Sequence, residues 1–408
     1  MTRVRAEVER GGGFVSRLYR FPAGVSFSGR LPRALPLAFL LLWSPLTLAQ
    51  PVRVVRDERH DVSPPLKSLA PLPAVRRALR REPLEEERDR DLEAPAASAP
   101  AAPDPVVQSK PSGKSLLDMP APSRSFEGIS NINGFYVPDT SGAVGPSHYV
   151  QWVLTSFQVF SKNGVSLYGP AAGNTLWAGF GGPCETRNDG DPIVLYDSIA
   201  DRWFFSQYTN APPYGQCVAV SRTPDPLGAY NRYFFSLSQT VHYDYPKFGV
   251  WPDGYYMTGN RIDRANANAF VGTAAIVLDR QKMLAGLPAT YQEFTLSGFS
   301  ALPADLDGRR LPPAGSPGYF VHPSSASLDL YRLHVDWANP ANSALTGPTS
   351  LPAASYNVLC PATANCVPQP APGVALGALG RFPMQRFAYR NFGDHESFVF
   401  NLSVDASS

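Results

Sequence analysis

The 408-residue sequence predicts an all-β fold in its C-terminal part, and a β-propeller is the architecture that it favours. Three observations carry this prediction. Short runs of β-type residues alternate with turns rich in Gly, Pro, Asn and Asp. Helical periodicity is nearly absent, and pairs of strands recur weakly along the chain, as the strands of propeller blades do. A pair of packed β-sandwiches is the main alternative.

The aromatic residues place the folded part after about residue 126. Of the 47 Phe, Tyr and Trp residues, 41 lie from Phe126 onward, and none lies between Ser44 and Ser125. A segment without aromatic residues cannot bury enough apolar surface to offset the entropy of ordering it. The sequence therefore predicts a disordered, Pro- and charge-rich spacer at 50–125 and one propeller-like domain at 126–408. A propeptide cut at the paired arginines of 76–81 is an alternative for the spacer.

The N-terminus has the pattern of an export signal. Arg30 and Arg33 precede an apolar run at 34–43, and Thr47-Leu48-Ala49 offers a cleavage site before Gln50. The run has about half the length that a membrane span needs, so no membrane span is expected. Residues 1–49 are thus predicted to be a signal peptide on a secreted or periplasmic protein. Because the region before the run is long, the true start codon stays open.

The charge balance argues against a nucleic-acid partner. Without residues 1–49 the chain carries 29 basic and 32 acidic residues. A protein that binds nucleic acid normally presents a basic face, and no such cluster or stacking motif occurs in this domain.

Four cysteines lie in the predicted domain: Cys184, Cys217, Cys360 and Cys366. An exported protein meets an oxidising compartment, so two disulfides are expected. Three pairings are possible, and we favour Cys184–Cys217 with Cys360–Cys366, because only five residues separate the second pair. No metal site is expected at these cysteines, because neither pair has metal-ligand spacing and no histidine is near.

Strands and one short helix can be placed along the domain. Asn163-Gly164 predicts a tight hairpin turn, and Asp279 is a suitable N-cap for a helix at Arg280–Ala285. The predicted strands are 156–161, 165–168, 192–196, 202–208, 217–221, 230–235, 248–251, 255–260, 270–278, 291–296, 318–322, 328–337, 386–391 and 397–404.

A weak repeat relates three of these strand pairs. Segments that begin near Asn188, Asp244 and Phe382 each contain an apolar strand that ends in an aromatic residue. Each continues through a polar turn into a second strand. In this overlay Asp189 aligns with Asp244, and Asp191 follows two residues later.

Several motifs resemble those of a known family. Asp191-Pro192, Val218-Ala219-Val220-Ser221, Pro224-Asp225-Pro226-Leu227-Gly228 and Asp244-Tyr245-Pro246-Lys247 resemble a family of uncharacterised secreted bacterial proteins with a sialidase-like β-propeller. The resemblance implies this fold and no particular activity. The stretch from Ser221 to Tyr230 is similar to the Asp-box turn of sialidases, which is a structural motif.

The acidic residues at the starts of the repeated strands are the best site candidates. First strands of blades line a central channel, so Asp189, Asp191 and Asp244 are expected to converge at one mouth. They could act as general acid and base on a glycan, or they could coordinate calcium. Lys247 would orient an anionic group or neutralise the carboxylates. The alternative is that these residues only cap strand ends.

These observations favour an extracytoplasmic propeller with a binding or surface-interaction role, whose partner is a glycan or a surface protein. No catalytic residue is assigned, because the common nucleophile and metalloprotease motifs are missing. A secreted glycan hydrolase is the first alternative. A truncated, non-functional copy is the second, because no closing strand follows the last repeat, and the propeller would then be incomplete at its C-terminus. The ligand and the oligomeric state stay open.

Overall fold

The computed structural model describes residues 7–11, 14–21, 51–73, 122–130, 132–134, 138–324, 326–360, 365–367 and 376–405. These residues form a nearly all-β structure, which confirms the all-β part of the predicted fold class, while the propeller stays a prediction. No helix in the described ranges has both the length and the apolar character needed to span a bilayer.

Four strands precede the predicted domain. They are β1 (Glu7–Gly11), β2 (Phe14–Phe21), β3 (Arg53–Arg56) and β4 (Arg59–Val62). Strands β1 and β2 form a hairpin within the segment predicted to be a signal peptide. The apolar run at 34–43 and the cleavage site before Gln50 lie outside the described residues, so the signal peptide stays a prediction.

Sheet 1 is a four-stranded antiparallel meander, and its third strand has the bounds that the sequence predicts. A 3-10 helix (Gly173–Trp177) and a short helix, α1 (Gly182–Thr186), follow it. The strands are β5 (Ser141–Val144), β6 (His148–Val153), β7 (Ser156–Ser161) and β8 (Ser166–Ala172).

Sheet 2 is a second meander, and β4 pairs with its last strand. A disulfide joins Cys184 in α1 to Cys217 in this sheet, as predicted. Cys360 is disulfide-bonded too, while the side chain of its predicted partner Cys366 lies outside the described residues. The strands are β9 (Ile193–Asp197), β10 (Arg202–Tyr208), β11 (Tyr214–Ser221) and β12 (Tyr230–Ser238).

Sheet 3 repeats this design, and β3 pairs with its last strand. Helix α2 (Arg280–Ala285) has the predicted bounds, and the Asp279 side chain accepts a hydrogen bond from the Lys282 amide, as an N-cap does. The strands are β13 (Val241–Trp251), β14 (Gly254–Asp263), β15 (Ala269–Leu278) and β16 (Thr290–Leu296).

Sheet 4 has eight strands, in the order β1-β2-β25-β24-β17-β18-β19-β20. Two meander-like halves meet where β17 and β24 pair in parallel. Its remaining strands and the short flanking strands are β17 (Leu302–Asp307), β18 (Gly318–Pro323), β19 (Ser327–His334), β20 (Ala344–Pro352), β21 (Asn357–Val358), β22 (Asn365–Val367), β23 (Leu376–Gly377), β24 (Pro383–Asn391), β25 (Glu396–Leu402) and β26 (Val404–Asp405).

The prediction of disorder is wrong for the first part of the spacer. Residues 51–73 contain β3 and β4, and Leu66 is fully buried. This segment has no core of its own, but its backbone satisfies the open edges of sheets 2 and 3. Arg232 also forms an ion pair with Asp61, at 2.6 Å. Residues 74–121, the greater part of the spacer, lie outside the described residues.

The first strands of the four sheets lie side by side. The Val194 amide of β9 donates to the Ser141 hydroxyl of β5, at 3.0 Å, and the Val250 amide of β13 donates to the Asp305 carboxylate of β17, at 2.9 Å. Aromatic side chains fill the spaces between successive sheets, as where Phe204 packs 4.8 Å from Tyr255. We call β5, β9, β13, β17 and β24 the inner strands. Their starts lie at one edge, because pairs such as Ser141 with Val194 join start to start.

Candidate functional site

A left-handed residue marks the start of four inner strands. In β5, β9 and β17 this residue stands two positions before the first residue of the strand. In β13 it lies inside a bulge, two positions before Lys247, where regular pairing resumes. Non-glycine residues rarely adopt this conformation, and such residues cluster at functional sites. Together with Asp189, Asp244 and Lys247, they define what we call the start edge. The four residues and their φ angles are Asp139 (36°), Asp191 (45°), Tyr245 (53°) and Ser300 (63°).

This pattern corrects the sequence overlay. The structural repeat matches Asp191 with Tyr245, so Asp189 does not correspond to Asp244. Asp139, which the sequence analysis missed, is the true counterpart of Asp191.

Two of the predicted carboxylates precede β9, and the third lies within β13. Asp189 is partly buried, and its Oδ2 accepts a hydrogen bond from the Asn210 amide, at 2.8 Å. Asp191, two residues before β9, is 8% exposed, and Asp244, in β13, is 1% exposed. The distances among the three carboxylates stay a prediction.

Lys247 packs against an aromatic ring. Its ammonium lies 3.7 Å from the centre of the Tyr245 ring, within the range of a cation–π interaction, and it donates a hydrogen bond to the Pro246 carbonyl. Lys247 and Asp244 flank the same bulge, so a cation and a carboxylate stand close in sequence at the start edge.

His242 is the nearest titratable neighbour of Asp244 on β13. It is fully buried between the rings of Tyr208 and Tyr214, with centroid distances of 5.1 and 5.4 Å. Its Nε2 lies 3.7 Å from Oδ1 of Asp244, which is an electrostatic contact rather than a hydrogen bond. The sequence analysis missed His242, although it stands only two residues before Asp244.

Buried polar groups with unused hydrogen-bonding capacity surround His242. Within the described part of the chain, both ring nitrogens of His242, the Gln216 amide, the Ser206 hydroxyl and the Asn260 Nδ2 have no hydrogen-bond partner. All four residues are at most 1% exposed. Buried polar groups are normally paired, and each unpaired one costs free energy. Such a group indicates a place that ordered water or a ligand completes.

A row of aromatic rings crosses the start edge. Phe270 lies 5.3 Å from Phe299, Phe299 lies 5.2 Å from Phe382, and Phe382 lies 4.8 Å from Tyr245. The Tyr245 hydroxyl donates to the carbonyl of Pro383, where β24 begins. This aromatic row therefore connects sheet 3 to the start of β24, and Phe270 is 38% exposed.

The described residues contain no group of three or more His, Cys, Asp or Glu side chains that could hold a metal ion. Calcium binding stays a prediction.

The other ends of the inner strands have saturated polar groups. Asp197 is fully buried and accepts hydrogen bonds from Arg280, at 2.7 and 3.0 Å, and from the Tyr255 hydroxyl, at 2.8 Å. Burial is the main cause that raises the pKa of Tyr255 well above its ordinary value, so this phenol stays a donor. The Asp-box-like turn is structural: Asp225 accepts from the Leu227 amide, and Ser221 donates to the Thr223 carbonyl.

Comparison with known proteins gives only distant likeness. No protein-family model and no curated protein matches this sequence. One similar solved structure is Zg3597, a family 117 glycoside hydrolase from the marine bacterium Zobellia galactanivorans, at 8% identity and a TM-score of 0.30, covering 66% of this chain and 84% of that chain. Another is an exo-1,5-alpha-L-arabinanase from a bovine ruminal metagenomic library, at 10% identity and a TM-score of 0.28, covering 66% of this chain and 90% of that chain. Similarity at this level carries no argument about activity.

Proposed function

We propose that this protein is an extracytoplasmic β-propeller that binds a glycan at the start edge. The sheets are its blades, and the side-by-side inner strands surround its axis. The Cys184–Cys217 disulfide supports an oxidising, extracytoplasmic location. The resemblance to secreted sialidase-like propellers fits this architecture.

The observation that carries the proposal is the aromatic row together with buried polar groups at the same edge, those of His242, Gln216, Ser206 and Asn260, that have no hydrogen-bond partner among the described residues. Ligand sites combine aromatic walls with a few polar groups that fix orientation. A sugar ring has an apolar C–H face, which suits the aromatic row, and a rim of hydroxyl groups, which suits the polar groups. Phe270 and Phe299 would contact the apolar face, while His242 and Gln216 would bind the hydroxyls, with the Asp191 and Asp244 carboxylates at the same edge.

A glycan array tests the binding role. We expect wild-type protein to bind at least one glycan, and Phe299→Ala to weaken that binding about tenfold or more, because aromatic anchors often contribute more than 1 kcal/mol. Phe392→Ala is the matched control, because Phe392 is 49% exposed in a turn at the opposite ends of the inner strands. Equal binding by both variants, or binding only to a surface protein, would contradict the proposal.

Hydrolysis of the same glycan is a second candidate, since two buried carboxylates, Asp191 before β9 and Asp244 in β13, lie near the starts of two inner strands. If Asp244 acts as an acid or base, Asp244→Asn should reduce turnover about 10²- to 10⁴-fold, with little change in melting temperature. If Asp244 instead binds calcium, the same substitution should remove a calcium-dependent rise in melting temperature. Absence of turnover by the wild-type protein on its array ligand excludes hydrolysis and leaves the binding role.

A further inference from the structure

A pocket lies between sheets 2 and 3, beside the start of β13. It has a volume of about 400 Å³, which is within the range of small-molecule sites. We call it the intersheet pocket. The residues that line it and matter here are Arg53, Leu237, Ser238, Tyr243, Arg261 and Val271.

The charges at this pocket sum to a positive value. Arg53 forms an ion pair with Glu293 at 2.6 Å, and Arg261 approaches the other oxygen of Glu293 at 3.8 Å. The Tyr243 hydroxyl also donates to Glu293, at 2.7 Å. Two guanidinium groups thus face one carboxylate that is 5% exposed, which leaves one excess positive charge.

Both guanidinium groups are held in place. Arg53 donates to the Leu237 carbonyl at 2.8 Å, and Arg261 donates to the Val271 carbonyl at 3.1 Å and to Thr295 at 2.9 Å. The Nε of Arg261 is buried and has no hydrogen-bond partner among the described residues. A fixed guanidinium loses little entropy when it binds a carboxylate, and it donates in a planar fork that matches that group.

Tyr243 stays protonated beside these charges. Burial, followed by the nearby Glu293 carboxylate, raises the pKa of Tyr243 far above its ordinary value. The phenol therefore keeps donating to Glu293, and this carboxylate has a reduced capacity to repel an incoming anion.

We infer that the intersheet pocket binds a uronic acid unit, with the ligand carboxylate at Arg53 and Arg261. The excess positive charge selects an anion, and the volume limits the ligand to a small one. Ser238 and the Gln239 side chain supply polar groups for hydroxyls along the same wall. This site does not depend on the proposed function of the start edge.

Calorimetric titration with galacturonic acid and with galactose tests the inference. We expect galacturonic acid to bind about tenfold or more tightly than galactose, since hydrogen bonds between charged groups are stronger than neutral ones. Val271→Trp should abolish binding by filling the pocket, because Val271 is 41% exposed on its wall. Val165→Trp is the matched control at a 59% exposed valine in the turn before β8, and this variant should bind normally.

Arg261→Gln gives a second variant that removes charge instead of adding bulk, and we expect at least tenfold weaker binding of galacturonic acid. Equal affinity for the two sugars, or unchanged binding by Val271→Trp, would overturn the inference. Phe299→Ala separates the two proposals. If Phe299→Ala leaves galacturonate binding intact, the result supports the intersheet pocket, whether or not the start edge binds a glycan. If Phe299→Ala abolishes galacturonate binding, the inference about the intersheet pocket is wrong.

Discussion

The interface between sheets 2 and 3 buries polar groups at both of its ends, and the two ends satisfy them differently. At the far end, Asp197 accepts hydrogen bonds from Arg280 and Tyr255 and from two turn amides. At the start edge, His242 is equally buried, yet neither ring nitrogen has a hydrogen-bond partner among the described residues. The same two inner strands, β9 and β13, carry both ends.

This difference separates a structural polar centre from a candidate site. Burial alone does not distinguish Asp197 from His242, since both are 0% exposed. The two residues differ in whether their hydrogen-bonding capacity is filled. A buried polar group with all its hydrogen bonds stabilises the folded state, whereas one that lacks them destabilises it. Ordered water or a bound ligand completes an unsaturated centre of this kind.

The largest expected effect is at the saturated end. Asp197→Asn would leave the buried Arg280 guanidinium without its counter-charge, so we expect the free energy of unfolding to fall by about 3–5 kcal/mol. Urea denaturation measures this change. A loss below about 1 kcal/mol would contradict the structural role of Asp197. Ligand binding by the folded fraction should not change.

Two serines of sheet 2 provide a matched comparison. Ser221 accepts a hydrogen bond from the Trp203 amide at 2.8 Å, whereas the Ser206 hydroxyl has no partner in the described part of the chain. Ser221→Ala should lower the free energy of unfolding by about 1–3 kcal/mol, because it strands a buried amide. Ser206→Ala should leave it unchanged within about 0.5 kcal/mol or raise it. Equal losses in the two variants would contradict the distinction between the ends.

The smallest expected effect depends on pH. Burial raises the pKa of Asp253, in the far turn between β13 and β14, and its hydrogen bond from Tyr256 opposes this shift only in part. A carboxyl with a raised folded-state pKa contributes stability below its unfolded pKa, about 3.9, and loses that contribution as the pH rises through the folded value. Asp253→Asn should therefore be more stable than wild type at pH 7.

The advantage of Asp253→Asn should shrink as the pH falls and should disappear below about pH 3, where the Asp253 carboxyl is neutral in both the folded and the unfolded state. Chemical denaturation at a series of pH values measures it. A difference that does not vary with pH would show that desolvation of this carboxylate is not its cause.

Local signals in the sequence predict much of the fold. The bounds of β7, β10 and α2 match the prediction to the residue, because alternation, turn residues and the Asp279 N-cap all act within a few positions. By contrast, β3 and β4 were missed, since they form only by pairing with strands far along the chain. Strand β17 was also missed, because its residues pair in parallel with residues of β24 that lie 83 positions later in the chain.

The candidate site could be predicted only in outline. The sequence pointed to acidic residues at the starts of inner strands, but it did not single out His242, Gln216 or Asn260. Their unused hydrogen-bonding capacity depends on which side chains of neighbouring sheets lie opposite them, and no local pattern encodes that. The left-handed conformation shared by Asp139 and Asp191 had one sequence signal, the acidic residue itself, which tolerates this backbone better than most.

The most direct test of the ligand role of the start edge is calorimetric titration of His242→Leu with the glycan that binds wild-type protein most strongly on the array. Leucine fills the space between Tyr208 and Tyr214 but offers no hydrogen bond. We predict about tenfold weaker binding, with a free energy of unfolding equal to or above that of wild type. Unchanged affinity together with reduced stability would contradict the account, because His242 would then be an ordinary structural residue.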